Sequence, residues 1–316
     1  MMNLETFRDV LLDEISHKLP PGYTLNVSKV VKESDIEKTG ISIAKEGSAL
    51  ANLVYAEDLF GFYEKGVTTE EIADTIMVAV NEDRFDQAEV PDFSRQYLLD
   101  NVYFRMANAE KNQRRFADVP TKRPPGADDI LLYPCIDVYV AGKTGVTTIH
   151  NDNLEQSGIS VEELHAAAES NTEKRLEIIP LAEKLAQALP EGTMEFFESP
   201  FHVTNDKVEH ARGGMSGASV FGAPKLLATL KEPYYIVPSS VHECLFLPVS
   251  FDPTPDRLIS LMDEVNSGEA IDPITGERVL KEEDVLSDRL YVVDKGVVRT
   301  VNAEAGAEAK KTMELE

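Results

Sequence analysis

The sequence predicts an α+β protein with mixed, mainly antiparallel sheets, flanking helices and two loosely divided lobes. Three observations carry this. Apolar and polar positions alternate in segments that come as neighbouring pairs (Tyr23 with Gly40, Ile130 with Gly145, Tyr234 with Val241), and strands joined by short turns favour antiparallel ladders over a regular βαβ alternation. Helical stripes behind capping signals lie between these pairs. Periodicity fails around 119–129, where Pro120, Pro124, Pro125 and Gly126 cluster, and this stretch is expected to join an N-terminal α+β lobe (1–118) to a C-terminal one (130–300).

Taken in order, Phe7, Val10, Leu11 and Ile15 fall at helical spacing within 4–19, and Pro20-Pro21-Gly22 then stops the helix. Strands are expected at 23–31 and 40–44. Thr68 with Glu71 three residues on is a capping box, followed by the stripe Ile72, Ile76 and Ala79. A strand is expected at 101–106, running into a turn or helix over 108–115. The apolar run 130–140 suits a central strand, with Pro134 at a bulge or an edge, and 145–150 supplies its partner. Ser160 with Glu163 caps a helix through Leu164, Ala167 and Ala168, and a second helix over 181–189 ends at Pro190. The last third offers strands at 201–204, 234–237, 241–247 and 290–293 and helices at 224–230 and 255–266. A tail rich in Ala, Glu and Lys (301–316) carries no apolar face and is expected to be disordered.

Composition removes several function classes. Hydrophobic residues make up 42% and charged residues 28% of the 316, which is ordinary for a soluble globular chain. The formal charge of −25 repels phosphate backbones and anionic lipid surfaces, so neither nucleic acid nor membrane is expected as a partner. No stretch approaches the ~20 apolar residues of a membrane span, and the opening MMNLETFRD lacks the basic and apolar regions of a secretion signal. A cytoplasmic location is expected. Cys135 and Cys244 form no CxxC pair and read as reduced, buried small hydrophobes.

Five segments then carry a resemblance: Asn108-Ala109-Glu110-Lys111-Asn112, Gly158-Ile159-Ser160-Val161-Glu162-Glu163-Leu164 followed by Ala168 and Asn171, Val237-Pro238-Ser239-Ser240-Val241-His242-Glu243, Glu264-Val265-Asn266 and Val285-Leu286-Ser287-Asp288. Together they resemble the domain-of-unknown-function 5688 family of bacterial proteins and, more distantly, uncharacterised protein family 0354. What the resemblance implies is an intracellular α+β bacterial protein without an established activity or ligand.

The densest chemical candidate is 239–244, which sets hydroxyl, imidazole, carboxylate and thiol groups within six residues. On a strand, Ser240, His242 and Cys244 would share one face and Ser239, Val241 and Glu243 the other. A hydrolase reading makes His242 the general base and Ser239 or Ser240 the nucleophile, with Glu243 a further candidate residue; the plainer reading makes the serines turn formers after Pro238. His202, His210, His242, Glu243 and Cys244 show no metal-ligand spacing, so no metal is expected. Gly213-Gly214-Met215-Ser216-Gly217 lacks the lysine of a phosphate loop, and no cofactor is expected. Against the acidic background, Arg105, Lys111, Arg114, Arg115, Lys122 and Arg123 meet only Glu110 and Asp118. Lys111, Arg114 and Arg115 on one face would form a cationic patch for an acidic protein partner or for a second copy in a homo-oligomer. With no nucleophile, metal or nucleotide motif to read, the leading expectation is a non-catalytic binding or adaptor protein, and a hydrolase at 238–244 is the alternative.

Overall fold

A computed structural model of the chain describes residues 2–48, 51–81, 91–140, 143–188, 199–207, 217–238, 240–251, 254–267, 280 and 284–301. It divides into two units, one of 1–91 with 138–143 and the other of 92–137 with 144–316. The proline-rich stretch 119–129 falls inside the second unit. Its prolines shape turns that fold back on the chain, with Lys122 and Leu132 exchanging backbone hydrogen bonds of 2.9 and 2.8 Å.

In the first unit, α1 (Leu4–Lys18) starts where the Asn3 side chain accepts from the Thr6 N–H at 2.9 Å. Its Phe7, Leu11 and Ile15 are fully buried, as their spacing of four requires for one helical face. β1 (Tyr23–Val31), β2 (Glu37–Lys45) and β3 (Asn52–Tyr55) follow as an antiparallel sheet in the order β1-β2-β3. α2 (Ala56–Glu64) and α3 (Thr69–Asn81) complete the unit. The Thr68–Glu71 capping box forms in both directions, Glu71 N–H to Thr68 Oγ1 at 3.2 Å and Thr68 N–H to Glu71 Oε2 at 2.9 Å. Ile41 and Ile43 of β2 join the α1 stripe and Ile72, Ala73, Ile76, Met77 and Val80 of α3 in one core.

The second unit opens with α4 (Arg95–Asn101), β4 (Tyr103–Asn108) and all but the joined ends, within 138–143, of β5 (Ile130–Val140) and β6 (Lys143–Thr148), the strands lying in that order in one sheet. Pro134 sits in the middle strand rather than at an edge. It lies opposite Phe104, whose N–H donates to Thr172 Oγ1 at 2.9 Å instead of across the ladder, so the β4 side asks no donor of the proline. α5 (Asn151–Ser157) ends at Gly158, whose φ of 66° closes the helix in a conformation that glycine adopts without strain. α6 (Val161–Arg175) begins at once from the Ser160–Glu163 capping box and packs on α4 and β4.

The chain continues through β7 (Leu176–Pro180), α7 (Leu181–Ala188), β8 (His202–Asp206), α8 (Pro224–Ala228), β9 (Tyr234–Val237), β10 (Leu245–Pro248), α9 (Pro255–Asn266), β11 (Tyr291–Asp294) and β12 (Val297–Thr300). The strands from β7 onward form a sheet in the order β12-β11-β9-β10-β8-β7, and the pairings within it are antiparallel. The fold is therefore the α+β class with antiparallel sheets. One strand starts later than expected: residues 241–244 bend and β10 begins only at Leu245. His210, Ser239, the loop 213–216 and the tail from 302 lie outside the described residues.

Candidate functional site

The bend at 240–244 breaks the face-sharing that a strand would have imposed on Ser240, His242 and Cys244. Ser240 is buried, and its Oγ accepts from the backbone N–H of His242 at 3.0 Å. The Ser240 N–H donates to the Glu243 carbonyl at 3.2 Å and the Val241 N–H to the Asp284 carbonyl at 2.9 Å. The hydroxyl thus serves as a turn former, the role Ser takes by bonding its own backbone two residues on. The His242 imidazole is 56% exposed and faces Asp284, Nε2 to Oδ1 at 3.4 Å. Glu243 is half-buried. Cys244 is sealed in the core, its backbone tied to Thr204 in both directions at 3.1 and 3.2 Å, and burial pushes its thiol well above the usual range. A nucleophile needs its base within hydrogen-bond reach, and here the serine is bonded to the histidine backbone while the imidazole is paired elsewhere.

The basic segment is a ribbon of successive turns over 109–118, not a regular helix. Asn108 builds it. Its Oδ1 accepts from the N–H groups of Glu110 and Lys111 at 3.0 and 2.9 Å, and its Nδ2 donates to the Leu286 carbonyl at 3.1 Å. Asn112 Nδ2 returns to the Asn108 carbonyl at 2.9 Å, and buried Phe116 packs on Tyr133 with ring centroids 4.4 Å apart. On this base Arg114 is exposed and Lys111 and Arg115 are half-buried. The Arg115 guanidinium lies 4.8 Å from the Phe116 ring and 5.8 Å from the Tyr133 ring, so it is held by the aromatic pair beneath it. Lys122 pairs with Glu169 at 2.8 Å and Arg123 donates to the Asp128 carbonyl, so these two cations are engaged within the unit.

The residues that sequence reasoning passed over lie under this ribbon. Buried Asp129 accepts from Ser287 Oγ at 2.5 Å and from the Tyr291 hydroxyl. Ser287 Oγ in turn accepts from the Arg289 N–H at 3.0 Å, and Arg289 bridges to Asp128 at 2.6 Å. Burial first, and then the bond to Asp129, raise the Tyr291 phenol, which keeps it a donor. The network is closed, every hydroxyl having a partner, and its chemistry is structural cross-linking across the unit. Asn266 of α9 donates to the Ser287 carbonyl at 3.2 Å and to Asp288 at 2.8 Å. A shallow cleft of about 290 Å³ adjoins it, lined by Ile259, Asp288, Arg289, Leu290, Thr300 and Val301. A second charged cluster holds Arg175 between Asp137 and Asp206 at 2.9 and 3.0 Å, with its guanidinium 4.0 Å from the Tyr103 ring.

Among the described residues no group of three His, Cys, Asp or Glu gathers to hold a metal ion, and no helix is long and apolar enough to cross a membrane. Asn108 and Asn266 thus each hydrogen-bond to the 285–288 segment, and the 240–243 turn reaches Asp284 beside it. The signal for this centre lay in the resemblance, whose segments at 108–112, 264–266 and 285–288 meet there, and in the acidic pair Asp128-Asp129 within a stretch read only as a joint. No curated protein and no solved structure matches the chain. A family of unknown function, DUF5688, matches residues 4–295, and the chain belongs to that family.

Proposed function

We propose that this protein is a non-catalytic bacterial cytoplasmic binding or adaptor protein that engages an acidic protein partner through the turn ribbon carrying Lys111, Arg114 and Arg115. The observation that carries the reading is the anchoring of that ribbon by Asn108 and Phe116: the backbone is held from below while the Arg114 side chain is exposed. A cation presented on an ordered backbone binds with less ordering cost than one on a loose loop. Lys111, Arg114 and Arg115, within five residues of a chain of net charge −25, also make a local field that steers an acidic surface at low salt. Because Arg115 also packs on Phe116 and Tyr133, the clean test replaces Lys111 and Arg114 with Gln and leaves Arg115 in place. Affinity capture from a bacterial lysate at low and high salt is expected to recover an acidic protein that the double variant loses. Capture of the same protein by the variant, or substrate turnover in untargeted metabolite profiling with no partner recovered, would overturn the reading.

A hydrolase centred on 238–244 is the second reading, and the His242–Asp284 contact favours it by supplying the group that orients a base. It requires Ser240 to leave the His242 N–H, or Ser239 to act instead. An ester hydrolysis that His242→Ala abolishes would establish it, and an activity indifferent to His242 would remove it.

A further inference from the structure

Among the described residues no strand pairs beyond β1 at the outer edge of the first unit's sheet, and β1 lacks most of the devices that protect an edge strand. β1 is nine residues long, stands first in the order β1-β2-β3 and pairs with β2 through nine consecutive partners from Tyr23–Lys45 to Val31–Glu37 without a bulge. It contains no proline and one charge, Lys29, which bridges to Glu37 of β2 at 3.2 Å and so is neutralised within its own sheet. Edge strands are ordinarily kept apart by bulges, prolines, inward charges or short length. The opposite edge, β3, is four residues long.

The apolar face also stops short at this edge. Val27 lies directly opposite Ile41, on the face covered by the helices, yet Val27 is 47% exposed while Ile41 is fully buried. Leu25 opposite Ile43 repeats the contrast more weakly, half-buried beside a buried partner. A strand added beyond β1, with apolar residues at alternate positions, would complete the face.

We infer that a second copy of this chain supplies that strand, β1 pairing with β1 antiparallel about a two-fold axis at Val27. In this register Val27 faces Val27, Leu25 faces Lys29 and Tyr23 faces Val31. Odd-numbered residues stay on the helix-covered side and Thr24, Asn26, Ser28 and Val30 on the other, so each face runs on across the junction, with Leu25 against the aliphatic stem of Lys29. Charge favours the same occupant: in a molecule of net charge −25, 23–31 holds no acidic residue, so two copies approach here without the repulsion they meet elsewhere. A strand edge of ~30 Å, at ~3.4 Å per residue, buries well under the ~1,200 Å² of a standard interface. The dimer is therefore weak and concentration-dependent.

Sedimentation velocity of the full chain across a wide concentration range tests this. The wild-type chain is expected to shift from monomer toward dimer, and Val27→Lys, which sets two ammonium groups against each other on the axis, is expected to weaken association about tenfold or more. Circular dichroism and melting of the variant control for its folding. As a second measure, Val27→Cys should cross-link to itself under mild oxidation while Thr24→Cys, which faces Val30 in this register, should not; Cys135 and Cys244 are buried and do not interfere. A monomer at every concentration, a dimer that Val27→Lys leaves intact, or equal cross-linking from both cysteine positions would overturn the inference. None of these readouts depends on the basic ribbon, so the two proposals fail separately.

Discussion

Asn108→Ala removes a side chain that joins the basic ribbon to the 285–288 segment, and its cost follows from the bonds it breaks. The Leu286 carbonyl, on a fully buried residue, loses its donor, a penalty of ~1–3 kcal/mol. The N–H groups of Glu110 and Lys111 lose their acceptor at partly buried positions, where water replaces it in part, for ~0.5–1 kcal/mol each. The total is ~2–5 kcal/mol, or roughly 4–20 °C in Tm for a cooperative unit of this size. Urea unfolding measures the first quantity and hydrogen exchange at Glu110 and Lys111 locates it. Asn108→Asp separates the two halves, since it keeps the acceptor for both turn amides while losing the donor to Leu286 and setting a carboxylate against that carbonyl. It should destabilise comparably yet retain protection at 110 and 111. A destabilisation of Asn108→Ala below ~0.5 kcal/mol, the range of an ordinary surface change, would refute the claim that this residue anchors the ribbon.

Burial pushes the Cys135 thiol up to about 12, from an unfolded value near ~8.5, so the folded chain holds a proton that the unfolded chain releases. The stabilisation is complete below about pH 8.5 and falls by ~1.4 kcal/mol per pH unit above it; Cys135→Ala should cut the loss between pH 8 and pH 10 by about 2 kcal/mol in urea melts. Arg175, 12% exposed between Asp137 and Asp206, leaves two carboxylates facing each other when removed, and Arg175→Met should cost ~3–5 kcal/mol by the same assay. Ser160→Ala deletes the cap of α6 and should cost ~1 kcal/mol, with amide protection lost first at Glu163.

Wherever a local rule sufficed, the chain alone determined the structure. Stripes at three and four residues and the Thr68 and Ser160 capping boxes placed α1, α3, α6 and α9, because a helix closes its own hydrogen bonds and its signals lie within one turn of its ends. Adjacent alternating runs placed the β1–β2 and β9–β10 pairs for the same reason of short range. The short elements α4, β7 and β12 escaped, being too brief for a period to declare itself. At 240–244 a run of strand-like residues bends because Ser240 takes the His242 N–H and Asp284 takes the Val241 N–H, and that second partner lies 43 residues away in sequence. The Asp129–Ser287–Tyr291 centre was likewise decided only in three dimensions. Its members stand up to 162 residues apart, and no spacing rule links residues whose bonding depends on which sheets meet. Tertiary structure also decided which polar side chains became anchors, since Asn108 and Asp129 resemble ordinary turn residues until burial removes water as their alternative partner.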